Sequence, residues 1–211
     1  MSDGIVLYDY WRSSAAYRVR IALGLKGLAY RAVPIDLAKG EQGGTDYVAV
    51  NPQGLVPALA IDGHLLTQSL AIIDYLDARV EQPPLVPADP AARSRVLAQA
   101  LVIAADIHPI NNLRVLNYLR RELGADEAAV NRWYHHWILE GFRTLEGEAP
   151  AEGLLGGDQP NLADVCLVPQ MANARRFAVP LDAFPRLVAI DARLQDLPAF
   201  AAAAPDIVRP A

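Results

Sequence analysis

Residues 5–23 read IVLYDYWRSSAAYRVRIAL, and the succession of residue types within them decides the fold of the first part of the chain. Ile5 to Tyr10 is a short apolar and aromatic run of the kind that forms a strand. The polar turn Trp11-Arg12-Ser13-Ser14 interrupts it, and Val19, Ala22 and Leu23 then recur at helical spacing. Gly27 stops that helix, since glycine takes the left-handed closing conformation without a Cβ penalty. Ala29 to Ile35 reads as a second strand, so the segment makes a βαβ unit with a parallel strand pair.

Outward from that unit, Glu41 to Val50 is polar and poorly patterned, with room for a short helix that ends at Asn51-Pro52. Val56 to Ile61 and Leu65-Leu66 flank Asp62-Gly63, a strong two-residue hairpin signal. After Thr67-Gln68-Ser69, the positions Ile72, Ile73, Leu76 and Val80 share one helical face. The first domain therefore reads βαβαββα. Proline clusters at positions 83, 84, 87 and 90, which marks a stiff connection. Beyond it the pattern is helical throughout. One long helix through Leu97, Leu101 and Ala105 carries the interruption Ile107-His108-Pro109, and three more helices span about 126–148, 162–177 and 184–197. Residues 201–204 read as a short tail element. The expected division is an α/β domain over 1–82, a linker over 83–90 and an all-α domain over 91–211.

Of 211 residues, 53% are hydrophobic and 20% charged, enough apolar material for two cores and too little charge for disorder. The net charge of −5 argues against a phosphate-backbone partner, so no nucleic acid is expected. No window reaches the ~20 apolar residues of a membrane span, and residues 1–4 lack a signal-peptide pattern; no membrane association and a cytoplasmic location are the expectations. The single cysteine, Cys166, excludes an internal disulfide, a CxxC pair and a cysteine-based zinc site. Thiol chemistry would need a thiol from outside the chain. Cys166 sits in the apolar run Val165 to Val168 and reads as a buried structural residue. His135 and His136 are adjacent, a spacing that does not set two ligands on one helix face, so no metal site is expected.

The segment WRSSAAYRVRIAL at 11–23 is similar to the signature of zeta-class glutathione transferases, where a Ser-Ser-Cys turn leads into Arg-Val-Arg-Ile-Ala-Leu. NPQGLVPAL at 51–59 and LTQSLAIIDYL at 66–76 resemble that family's cis-proline segment and its γ-glutamyl-binding turn. PNLADVCLVPQ at 160–170 resembles its helix-capping segment, with Asn161 where Ser or Thr is usual. The likeness extends from about 5 to 198. It implies a thioredoxin-like domain followed by an all-helical one, glutathione as cosubstrate, a homodimer, and glutathione-dependent cis–trans isomerisation of a maleyl dicarboxylate. Maleylacetoacetate, converted to fumarylacetoacetate, is the first substrate implied. Maleylpyruvate is the alternative, because IHPINNLRVL at 107–116 and ARRF at 174–177 resemble maleylpyruvate isomerases, which also lack the signature cysteine. That cysteine is Ala15 here. Conjugation of electrophiles and a non-catalytic binding module are the other readings of the same fold.

Each candidate residue has a structural reading beside its functional one. Ser13 and Ser14 at the start of a helix read as N-caps; the resemblance adds stabilisation of the glutathione thiolate, Ser13 first, aided by amides and the helix dipole. Ser69, with Gln68, likewise caps a helix, and by resemblance holds the γ-glutamyl carboxylate. The resemblance also makes the Val56-Pro57 bond cis, with the Val56 backbone on the cysteinyl unit, and brings Gln42 to the glycine end. His108 and Asn112 share a face of an undistorted helix and become glutathione contacts by the same likeness. Carboxylates of the substrate would be met by Arg12, Arg114 and Arg176, because guanidinium binds them bidentately. Arg175 reads as a complement to a helix C-terminus, and Arg18 and Arg20 as braces of the first helix.

Overall fold

Four short strands, β1 (Val6–Asp9), β2 (Arg31–Pro34), β3 (Ala58–Ile61) and β4 (His64–Thr67), form one mixed sheet in the order β2-β1-β3-β4. The computed structural model describes residues 4–210. β1 and β2 are parallel, with α1 (Ser14–Leu25) as the crossover, while β3 runs antiparallel to both β1 and β4. The hairpin between β3 and β4 turns on Asp62 and Gly63, both at positive φ (51° and 78°), as a two-residue turn of matching twist requires. A 3-10 turn at Glu41–Gly43 and α2 (Thr45–Val50) occupy the weakly patterned stretch, and α3 (Ser69–Arg79) follows β4. The βαβαββα reading therefore holds element by element.

Strand register sets up the site. Tyr8 pairs with Ala58, Ala58 with Thr67, and Asp9 with Pro34. The end of β1, the end of β2, the start of β3 and the end of β4 thus lie at one end of the sheet. The loops that leave or enter there carry Ser13, Gln42, Val56-Pro57 and Gln68-Ser69.

One compact unit is Met1–Pro84 together with Leu197–Ala211, and the other is Leu85–Asp196. This differs from the expected division, which assigned everything from 91 to 211 to the helical domain. α9 (Pro198–Ala202) and α10 (Pro205–Val208) belong with the sheet instead. The cause is α1, whose stretch Ser14–Leu23 is buried on all sides. A Cβ added at Gly24 would come within 3.2 Å of the Ala199 Cβ, Phe200 is fully buried, and Arg20 Nε donates to the Ala203 carbonyl at 3.0 Å. Arg20 also donates to both oxygens of buried Asp9, at 2.7 and 2.9 Å, so it braces α1 as expected. Burial raises the Asp9 pKa and the guanidinium opposes that rise. Lys26, at the end of α1, is closed off by Asp77 (2.6 Å) and the carbonyls of Val80 (2.6 Å) and Pro83 (2.5 Å).

In the second unit, α4 (Pro90–Leu101) passes into one stretch of π-helix, Val102–Ile107, and then α5 (Leu113–Arg121), α6 (Glu127–Glu148), α7 (Leu162–Arg176) and α8 (Pro185–Gln195) follow. The long helix expected to run through His108 does not do so. Pro109 has no N–H to continue the ladder, the preceding turn widens to π spacing, and residues 108–112 form a turn. Asn112 is the N-cap of α5, its side chain accepting from Arg114 N at 3.1 Å. His108 and Asn112 consequently do not share a helix face. α7 is the buried core helix, with Cys166 fully enclosed. Arg175 pairs with buried Asp191 of α8 at 2.6 Å, a tie to a neighbouring helix in place of the expected complement to its own C-terminus.

Candidate active site

The N-terminus of α1 is an open cap. Ser13 stands outside the helix at φ −69°, ψ 117°, and its Oγ accepts from Ala16 N at 3.2 Å. Its own amide donates to the Tyr10 carbonyl at 2.8 Å, which closes the turn. Because Oγ only accepts in this cap, the hydroxyl hydrogen remains available to an anion at the helix end. Ser14 is the first helical residue and is buried. The first turn carries no acidic side chain that would oppose an anion. Arg12 is exposed, its guanidinium 4.3 Å from the Trp11 ring centre.

At the same end of the sheet, the Val56-Pro57 bond is cis. Ser69, buried, opens α3, and Arg18 Nη1 donates to its Oγ at 3.3 Å. Ser69 Oγ thus takes its acceptor role from a fully buried guanidinium and keeps its proton for a ligand at the α3 N-terminus, where a carboxylate is favoured. Gln68 adopts φ 67°, ψ 116°, a strained setting for a residue with a side chain, and its Nε2 donates to Gln53 Oε1 at 3.1 Å. Gln42 is brought to the same loop, since its carbonyl lies 2.9 Å from where a Cβ would stand on Gly54. The Gln42 Oε1 is buried and has no hydrogen-bond partner among the described residues. An orphaned amide oxygen, a serine hydroxyl with a proton to give and an unopposed helix end suit a peptide-like ligand with a carboxylate, which is what glutathione presents.

In the helical unit, the turn 108–112 and the end of α7 both meet α6. Asn111 Nδ2 donates to the Tyr134 carbonyl at 3.2 Å, and Trp133 Nε1 donates to the Ile110 carbonyl at 3.0 Å. The Tyr134 ring stacks on Phe177, with centroids 3.8 Å apart at 22°. The Arg176 guanidinium stands 4.8 Å from the Phe177 ring centre. Arg114 is exposed near the start of α5.

The model of the glutathione S-transferase N-terminal domain matches residues 4–78. A probable maleylacetoacetate isomerase of Vibrio cholerae is 53% identical over 207 residues, covering 96% of each chain. The chain belongs to the glutathione S-transferases. Their zeta class is where a structural neighbour places it: a bacterial maleylpyruvate isomerase described as a zeta-class glutathione S-transferase, 46% identical, with TM-score 0.94 over 97% of this chain and 98% of that one. A maleylacetoacetate isomerase of Methylobacterium extorquens AM1, solved with bound malonate and glutathione, is 39% identical, with TM-score 0.93 over 98% of this chain and 100% of its own.

Against that family, the expected site residues fall into groups. Register gathers Ser13, Ser14, Gln42, Val56, Pro57, Gln68 and Ser69 at one end of the sheet. Arg176 and the turn bearing His108 and Asn112 both meet α6. Arg12 and Arg114 stand exposed, each in its own unit. The sequence reading did not identify Arg18 as the donor behind Ser69, nor Asn111 and Tyr134 as the contacts that bind the turn to α6. A buried arginine announces itself only through its spacing on α1, where Arg18 falls on a face otherwise apolar. Tyr134 lies on the periodic face Val130, Tyr134, Ile138, Phe142, which signals burial but not a role for its hydroxyl.

Proposed function

We propose that the protein is a glutathione-dependent cis–trans isomerase that converts maleylacetoacetate to fumarylacetoacetate. The observation that carries this reading is the open cap of α1, where Ser13 keeps a donor free at a helix N-terminus while the chain's only cysteine lies buried in α7. A site built for a thiolate, in a chain with none to offer there, calls for an external thiol. When bound, glutathione supplies a thiolate whose addition to the conjugated double bond leaves a single bond free to rotate, and whose departure restores the double bond in trans.

The chain's residues take the remaining tasks. Ser13, with Ser14 as its neighbour, donates to the thiolate and keeps it ionised near neutral pH. Ser69 and the α3 amides hold the γ-glutamyl carboxylate, the Val56 backbone beside Pro57 holds the cysteinyl unit, and Gln42 takes the glycine end. Gln68 shapes that turn, and His108 and Asn112, from the segment after the π-helix, are assigned glutathione contacts by the family resemblance. Arg12, Arg114 and Arg176 orient the substrate's carboxylates, which fixes the reacting carbon relative to sulfur. No residue is assigned to general-base work on a serine, so the serines stabilise charge and do not attack.

The likeness to a maleylpyruvate isomerase at 46% identity supports maleylpyruvate as a second substrate. The domain division proposed for function keeps glutathione binding in the sheet-bearing unit and substrate carboxylate binding largely in the helical one. We also infer a homodimer, supported by the edge strand β4, which leaves Leu65 43% exposed. A cytoplasmic setting is in keeping with a chain whose one cysteine excludes an internal disulfide. Among the described residues no helix is long and apolar enough to cross a membrane.

The test is an assay of both maleyl acids with and without glutathione, followed by sedimentation to count protomers. Turnover of maleylacetoacetate that requires glutathione in catalytic amount is expected, with none consumed. Full activity after exhaustive removal of glutathione, or accumulation of a stable conjugate without isomer, overturns the reading.

A further inference from the structure

We propose that Arg209, near the end of the chain, is a carboxylate-binding residue that acts with Arg12, the two guanidiniums sharing the Trp11 ring and together taking one carboxylate of the dicarboxylate substrate. The inference rests on the isomerase reading, which assigns Arg12 to such a carboxylate, and adds a residue that the reading does not use. The end of the chain is laid back along α1, from its C-terminal end toward its N-terminal one. Ala199 packs against Gly24, where an added Cβ would come within 3.2 Å of the Ala199 Cβ. One turn earlier on α1, Arg20 Nε donates to the Ala203 carbonyl at 3.0 Å. Ahead of the helix, the Arg209 guanidinium stands 4.9 Å from the centre of the Trp11 ring, over which the Arg12 guanidinium also stands, at 4.3 Å. The backbone on both sides of this contact is held, since Arg20 Nη2 donates to the Trp11 carbonyl at 3.2 Å and Ser13 N donates to the Tyr10 carbonyl at 2.8 Å.

Burial and pairing separate these two arginines from Arg20. Arg20 is buried, and its charge is met by Asp9 at 2.7 Å. Arg12 and Arg209 are exposed, and among the described residues neither pairs with a carboxylate. A guanidinium held over an aromatic ring by cation–π attraction has not used its N–H donors, which remain for a bidentate contact with a carboxylate. Two like charges gathered at one indole also repel each other, and a bound anion relieves that repulsion. Arg12 immediately precedes Ser13. A carboxylate held by the pair is therefore anchored beside the residue assigned to the thiolate, which sets the reacting double bond relative to sulfur. The carboxylates of glutathione are already assigned, one to Ser69 and the other to the Gln42 end, so the pair is left to the substrate.

Calorimetric titration of succinate, a dicarboxylate to which glutathione cannot add, reads the pair apart from turnover. The titrated proteins are the wild type, R209A, W11L and the double variant W11L/R209A, each at saturating glutathione. R209A is expected to weaken succinate binding about three- to fivefold at low salt, the effect of one exposed charge pair, with glutathione affinity and the thermal midpoint unchanged. In the W11L background the same change is expected to add nothing, because the ring that seats Arg209 is gone. Succinate affinity unaffected in R209A overturns the proposal. So does a loss that persists undiminished in W11L, or one that comes with weaker glutathione binding and a lower thermal midpoint, which reduces Arg209 to a tie for the end of the chain. Steady-state assays of the wild type and R209A with both maleyl acids separate the two readings. A wild type that isomerises while KM for the acid is the same in R209A overturns this proposal alone. Succinate binding that depends on Arg209, in a wild type that turns over neither acid, overturns the isomerase reading and leaves the carboxylate site in place.

Discussion

The N-termini of α1 and α7 are capped by the same chemistry and finished in opposite ways. In α7, Asn161 Oδ1 accepts from Ala163 N at 2.8 Å and Asp164 N at 3.2 Å, and the Asp164 carboxylate reaches back to Asn161 N at 3.0 Å. That carboxylate also takes Leu155 N at 3.0 Å and Gly156 N at 2.8 Å, and it is fully enclosed. In α1, Ser13 Oγ accepts from Ala16 N at 3.2 Å, and the first turn carries no acidic side chain to reach back as Asp164 does. A helix end that serves only stability satisfies its orphan amides internally. An end without such a carboxylate leaves its dipole unopposed, and that contrast supports an anionic ligand at α1 and none at α7.

The largest expected effect tests the closed end. Asp164→Ala leaves the buried Asn161 N–H and the part-buried Leu155 and Gly156 N–H groups without their acceptor, the buried one costing about 1–3 kcal/mol and the others less, so a loss of about 3–5 kcal/mol is expected in denaturant unfolding. A loss below about 1 kcal/mol would mean that water or a shifted loop can replace the carboxylate, and the contrast with α1 would collapse. Glutathione affinity, if the two ends are functionally separate, stays the same in the fraction that folds.

A second test uses pH. Burial without a cation pushes the Asp164 carboxyl up to about 6 from 3.8, with its three amide donors opposing the rise. Since the folded pKa exceeds the unfolded one, the folded state binds more protons between those values. This group's contribution is then most favourable below about pH 4 and declines as pH rises to about 6, flattening above. Relative to Asp164→Asn, the wild type is expected to lose up to about 3 kcal/mol across that window. A difference that runs the other way would show the three amide bonds outweighing desolvation.

Asn161→Ala comes next, with an expected cost of about 1–2 kcal/mol, because the cap bonds go while the Asp164 network stays. If it matches Asp164→Ala, the two residues act as a single unit.

The same contrast explains what the sequence made legible. Asp62-Gly63, Gly27 and the Ile5–Tyr10 run are local signals, and local signals placed the sheet and the loops that carry Ser13, Val56-Pro57 and Ser69. The capping pair Asn161 and Asp164 is equally local and stood in a recognisable segment. What escaped depends on partners distant in sequence. Arg20 meets Asp9 and the Ala203 carbonyl, Arg18 meets Ser69, and the alanine-rich end returns to α1 because Gly24 lets Ala199 approach; spacing can flag a buried arginine on α1, but it does not name these partners. His108 and Asn112 were placed on one face by assuming regular geometry through Pro109, where the missing N–H instead opens a π turn and a non-helical loop.

The smallest stability effect is expected at Ser13, and it decides most. Capping and thiolate stabilisation are not alternatives in this geometry, since Oγ accepts from Ala16 N while its hydrogen is free to donate. Ser13→Ala is therefore expected to do both things in unequal measure. Loss of one half-buried cap bond costs about 0.5–1 kcal/mol, measured by thermal or denaturant unfolding. Loss of the donor raises the pKa of the bound glutathione thiol, followed by thiolate absorbance against pH with glutathione saturating, and slows isomerisation at neutral pH more than at alkaline pH. Ser14→Ala supplies the control within the turn: Ser14 is buried in the first helical turn, so its change is expected to leave the thiol titration closer to wild type. A thiol pKa unmoved in Ser13→Ala but raised in Ser14→Ala would transfer the role to the inner serine. A pKa unmoved in both would leave the amides and dipole of α1 as the stabilising groups and reduce Ser13 to a cap.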